Sequence, residues 1–296
     1  MMQSSGPAQP PPLPQAVRRG RPPAPISPDA GPSHRAWLEP VRSVLFASGL
    51  TLDDLVERSG YSKTRISELL RGNGNYPLWE ITFSVTRALG LPTQPLRRLW
   101  TAAAREAHKD SDWIHRSIEQ VAHAGEKPPL PYQAFTEAVQ GTYTDYARAF
   151  LLTDRRARWV VCETFDILWI CWDEAAASAN INRYAWSLFR SRVMIRAARR
   201  ADGHPDLRAA VFSTRAVHDH TSNPGHLVAL TELIDLFDAI NRLPDDQMDL
   251  AVLQYLCGTP VADSAHLLGI TPALAHAADH HARVTVEALL NTPTTE

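Results

Sequence analysis

No charge of either sign dominates this chain: 30 Lys and Arg stand against 32 Asp and Glu over 296 residues, a formal −2. That excludes a global basic field, so any contact with phosphate has to come from local arginines, as at Arg65–Arg71, Arg97–Arg105, Arg155–Arg158 and Arg190–Arg200. Cysteine is scarce. Cys162, Cys171 and Cys257 lack the paired spacing of a metal site and are odd in number, and their apolar helical surroundings predict buried, reduced thiols in a cytoplasmic protein. No apolar run reaches membrane-spanning length and no hydrophobic leader core stands near the start, so no membrane partner is expected. Also missing are the alternating pattern of strands and the Asn-Gly signals of hairpins. Gly72-Asn73-Gly74-Asn75 follows a helical stretch and reads as its cap and loop.

Signatures of chemistry are equally thin. There is no phosphate-cradling glycine loop, nucleophile elbow or dinucleotide fingerprint. His276 and His280 stand one helical turn apart with His281 beside them, but nothing completes a zinc site; His218-Asp219-His220 is a similarly weak cluster. Asp245, Asp246 and Asp249 open a helix, where the dipole favours them without any catalytic role. Neither an enzyme nor a cofactor or metal is expected.

What the chain does have is an apolar period of 3.6 residues from Trp37 onward, which predicts an all-α protein. Breaks at Lys127-Pro128-Pro129-Leu130-Pro131 and across 201–226, with Gly203, Pro205, Pro224 and Gly225, punctuate it. The expected organisation is a disordered Pro-rich tail over 1–33, a DNA-binding domain over 34–108, a middle helical domain over 109–200, a linker over 201–226 and a C-terminal helical unit over 227–296. The Arg18–Arg21 cluster in the tail reads as solvated charge.

Residues 52–72, LDDLVERSGYSKTRISELLRG, carry the clearest signal. Gly60 supplies the positive φ of a tight corner, and Thr51 and Ser62 are placed as N-caps, with Asp54 three residues after Thr51. Leu52, Leu55, Val56, Ile66, Leu69 and Leu70 fall on packing faces, which leaves Lys63, Thr64, Arg65, Ser67, Glu68 and Arg71 outward. With LEPVRSVLFASG before it and WEITFSVTRALGLPTQPLRRLWTAAA after it, the stretch 36–107 resembles a Cro/repressor-type (XRE) helix-turn-helix domain. Val56 departs from the alanine usual at the helix crossing, a strain of roughly 1–3 kcal/mol if unrelieved. The resemblance implies a recognition helix from Lys63 in the major groove of double-stranded DNA, often as a two-fold homodimer. Capped at Ser62, it would direct Lys63 and Arg65 to guanine or phosphate, Thr64 to a thymine methyl, Ser67 to a base edge and Glu68 to cytosine N4; Arg71, Asn73 and Asn75 would position the backbone.

Further along, FTEAVQGTYTDYARAFLLTDRRARWVVCETFDILWICWDE and NRYAWSLFRSRVMIRAARR resemble region 2 of extracytoplasmic-function sigma factors, and 243–290 resembles their region 4. Pro244, Ala265, Gly269 and Thr271-Pro272 carry the second match. Two departures stand out: Arg155, Arg156 and Arg158 replace acidic residues, and Ala275, His276, Ala277 and Ala278 replace the basic ones of the second recognition helix. Ser264, Ala275 and Ala278 also trim the core of that helix pair. For 184–200 two readings stand open. Trp186, Phe189, Arg190, Arg192, Arg196 and Arg199 would stack on and grip single-stranded DNA, or Tyr184, Leu188, Val193 and Ile195 pack a core with the arginines facing solvent. Trp159, Phe165, Trp169 and Trp172 recur at helical spacing and read as core. The functional expectation is a cytoplasmic transcriptional regulator that reads DNA through 52–72. Its sigma-like remainder would contact RNA polymerase core, another protein or a second copy. The alternatives are an active sigma factor and an interaction module with incidental DNA binding.

Overall fold

A computed structural model describes residues 24–121, 125–207 and 234–291. The Arg18–Arg21 cluster and most of the expected tail, the bulk of the expected linker, His218-Asp219-His220 and the opening of the helix expected from 227 lie outside the described residues. The chain is all-α: among the described residues the one departure from helix pairing is an isolated bridge between Arg199 and Pro205. No described helix is long and apolar enough to cross a membrane.

The first six helices are α1 (Pro32–Ser48), α2 (Leu52–Ser59), α3 (Lys63–Arg71), α4 (Trp79–Ala88), α5 (Thr93–Glu106) and α6 (Ser111–Glu119). Gly49 ends α1 at φ 70°, and Pro32 presets φ in its first turn. No side chain of its own caps α1. Instead Glu106 accepts from Ser33 N–H at 2.9 Å and His34 N–H at 3.3 Å, setting a carboxylate against the positive helix end. Trp37, Trp79 and Trp100 are fully buried with Leu38, Leu55, Ile66 and Leu70. α6 closes this core: Ser117 Oγ accepts from Trp79 N–H at 2.8 Å, and Trp113 stacks on Trp100 at 5.7 Å.

Next come α7 (Leu130–Leu151), α8 (Asp154–Ile170), α9 (Trp172–Ala177) and α10 (Ile181–Arg196). The helical residues 234–241 form α11, followed by α12 (Asp245–Ala251), which runs on into a π turn at Val252–Leu256. There Cys257 N–H donates to Val252 O at 3.1 Å. The chain then makes α13 (Val261–Leu268) and α14 (Pro272–Asn291). Tyr143, Tyr146, Phe150 and Phe189 of α7 and α10 share one core with Phe237, Met248, Leu253, Ala265, Ala275 and Ala282 from the C-terminal helices.

α8 is packed on two sides, and this explains several departures from the sequence expectations. Val160, Val161, Phe165 and Leu168 enter the second core, whereas Ile167, Ile170 and Cys171 complete the first. Trp159 and Cys162 fall on the strip between, so Trp159 is 39% exposed and Cys162 is exposed, not buried. Cys171 is buried and Cys257 half-buried. The apolar period that runs on through Trp172 is interrupted at Cys171 (ψ 18°), and α10 stops at Arg196, where Ala197 turns extended at ψ 140°. Ile195, near that end, is 52% exposed and outside the core.

Candidate nucleic-acid interface

The α2–α3 corner is built by backbone chemistry. Thr51 Oγ accepts from Asp54 N–H at 3.2 Å while Asp54 accepts from Thr51 N–H at 2.7 Å, a closed capping box. The Thr51 hydroxyl, which also donates to the Asp54 carboxylate at 2.7 Å, and then the Thr51 N–H hold that carboxyl below its usual pKa. Gly60 turns the corner at φ 76° with its N–H on Val56 O at 3.0 Å. Ser62 caps α3 through a long bond from Arg65 N–H at 3.5 Å. Ile66 and Leu70 are fully buried and Leu69 nearly so, whereas Leu52 and Val56 are half-buried at the rim. At the far end Arg42 donates to Leu70 O at 2.6 Å and Ser27 N–H to Arg71 O at 2.8 Å, pinning α3 to α1 and the segment before it.

The outward face is as expected. Ser62, Lys63, Thr64, Arg65, Glu68, Arg71, Asn73 and Asn75 are exposed and Ser67 is half-buried. One feature had no local sequence signal: Lys63 Nζ lies 2.8 Å from Asp53 of α2, ten residues back. Both side chains are largely exposed, so the pair opens at little cost.

The other candidate set is placed differently. Trp186 is 5% exposed, and its indole N–H donates to Asp249 at 3.0 Å. Tyr146 donates to the same carboxylate at 2.6 Å and Arg190 Nε at 2.7 Å, with a second Arg190 nitrogen on Asp245 at 2.8 Å. Burial pushes the Asp249 carboxyl up, and Arg190, Tyr146 and Trp186 pull it back. Arg192 Nε donates to Glu163 at 2.8 Å and its Nη2 to Pro32 O at 2.7 Å; Arg196 meets the other Glu163 oxygen at 2.7 Å. Arg199 is exposed and donates to Gly203 O at 2.8 Å. Neither open reading of 184–200 describes this arrangement. Arg190, Arg192 and Arg196 are neither solvent-facing nor free to grip a strand; they tie α10 to α1, α8 and α12. Sequence reasoning missed Asp249 and Glu163 as anchors. The available signal was a carboxylate inside an apolar run, at Asp249 in QMDLAVLQYL.

α13 and α14 also meet at a corner, Gly269 at φ 62°, over a buried Ala265. Thr271 Oγ accepts from Leu274 N–H at 3.3 Å. A Cβ on Gly269 would lie 2.5 Å from Arg183 N, so the corner is seated directly on the start of α10. Asn180 holds it there by donating to Gly269 O at 3.3 Å. The first turns of α14 expose Ala273, Leu274, His276, Ala277 and His280, and Arg283 is paired with Asp279 at 3.1 Å. Against this geometry, no protein-family model, no curated protein and no solved structure matches the chain.

Proposed function

We propose that this chain is a sequence-specific DNA-binding transcriptional regulator that lays α3 in the major groove. The observation that carries the reading is the division of α3. Ile66, Leu69 and Leu70 are buried, while Lys63, Thr64, Arg65, Glu68 and Arg71 stand exposed on a helix fixed at both ends. Arg65 and Lys63 supply donors for guanine or phosphate, Thr64 a methyl, Ser67 a hydroxyl and Glu68 an acceptor; Ser62, Asn73 and Asn75 fit the adjoining backbone.

The helices α7–α14 serve as a surface for RNA polymerase core or another protein. The exposed side chains of Leu274, Val284 and Leu290 on α14 offer apolar contacts to a protein and none to phosphate. Direct promoter melting by the α10 face would require Trp186, Arg190, Arg192 and Arg196 to leave Asp249 and Glu163, which favours the regulator over an initiating sigma factor. Selection of bound duplexes from a random pool, followed by fluorescence anisotropy, tests the reading. Arg65→Ala is expected to relax preference at one base pair by about 1–3 kcal/mol. Equal binding of all duplexes by the unaltered chain would remove base reading by α3.

A further inference from the structure

Between α5 and α8 lies a cleft of about 270 Å3, walled by Arg97, Arg98 and Arg105 on one side and Trp159, Cys162 and Asp166 on the other. Arg98 is tied to Asp166 through Nε at 2.9 Å. Among the described residues, Arg97 and Arg105 have no carboxylate within ion-pair distance, and nor does Arg155, exposed one turn before Trp159. Glu163, the other nearby acid, is fully engaged by Arg192 and Arg196. Guanidinium groups therefore outnumber free carboxylates around the cleft, which favours an anion there. Phosphate matches their planar donor geometry bidentately and has oxygens enough to meet two of them at once. Trp159 adds a second element. It is 39% exposed at the cleft, with the Arg196 guanidinium 4.6 Å from its ring centroid, and offers a flat surface for stacking. The shape is concave and close to the lower end of small-molecule sites, about 300–1,000 Å3, which favours a discrete ligand over the convex backbone of a duplex.

We propose that this cleft binds a small phosphorylated molecule with a planar ring, of the nucleotide class. The phosphate meets Arg97 and Arg105, and the ring lies against Trp159. The site is separate from the face of α3 and stands whether or not that helix reads DNA.

Isothermal titration calorimetry on the full chain tests this with AMP, inorganic phosphate and adenosine as probes. AMP is expected to bind, phosphate to bind more weakly and adenosine not to bind. Replacing Arg97 and Arg105 together by Gln should weaken AMP about tenfold or more, and since neither side chain has a carboxylate partner among the described residues the variant should keep its far-ultraviolet dichroism. Trp159→Ala should weaken AMP while leaving phosphate unchanged. The proposal is overturned if neither AMP nor phosphate binds, if the double variant binds AMP as well as the parent, or if a single-stranded oligonucleotide binds the cleft and AMP does not. Duplex binding measured in parallel is expected to be unaffected in these variants, so failure here is distinguishable from failure of the α3 reading.

Discussion

An ionised carboxylate inside a helical core needs several donors, and Asp249 receives them from Tyr146, Trp186 and Arg190. Asp249→Ala leaves a half-buried guanidinium with only the exposed Asp245, and should destabilise the chain by about 3–5 kcal/mol in denaturant titration. A loss under about 1 kcal/mol would show that Asp245 alone satisfies Arg190. Asp166 makes a pH-dependent counterpart. Burial raises its carboxyl to about 6, opposed by Arg98 and reinforced by Glu163. Folded Asp166 thus holds its proton where the unfolded chain has lost it. Its contribution is fully present below an unfolded pKa of about 4 and is lost as pH rises through about 6. Relative to Asp166→Asn, the parent should gain on the order of 2–3 kcal/mol between pH 7 and 4, read from denaturant midpoints; parallel profiles would refute the shift. The apolar run around Asp249 marks it as buried, but the partners of Asp249 and Glu163 were not legible from the sequence. Asp249 meets Arg190 across 59 residues and Glu163 meets Arg192 across 29, and no local periodicity encodes such pairings.

At the scale of the element, what was local was legible. The caps at Thr51 and Ser62, the corner at Gly60 and the outward face of α3 all follow from short-range chemistry. The break at Cys171 was not, because apolar residues run through it on both sides and only packing against two cores separates α8 from α9. The two helix corners also look alike in sequence and differ in structure. Gly60 has open space around a would-be Cβ, so Gly60→Ala should cost only the left-handed strain, about 1–2 kcal/mol. Gly269 at φ 62° adds a clash with the Arg183 backbone at 2.5 Å, so Gly269→Ala should lower the melting temperature further. Equal shifts would mean that the α13–α14 corner is not seated on α10.

For the whole molecule, α8 contributes buried residues to both cores, and this makes the α2–α3 end depend on the body behind it. Ile167→Ala, at a residue 5% exposed, should cost about 2–5 kcal/mol. Hydrogen exchange is expected to quicken in α3 and α5 as well as in α8, though α3 does not touch the altered residue; unchanged α3 protection would mean that the first core stands alone. The division expected near 109 followed the extent of the helix-turn-helix resemblance over 36–107; α6, just beyond it, covers Trp79 and Trp100. The π turn at Val252–Leu256 has its own consequence. It accommodates one surplus amino acid, so excising a single codon there would rewind an ordinary spiral and leave everything downstream near its present bearing from Asp249. The same excision one turn earlier, within α12, would instead swing the C-terminal helices by about 100°.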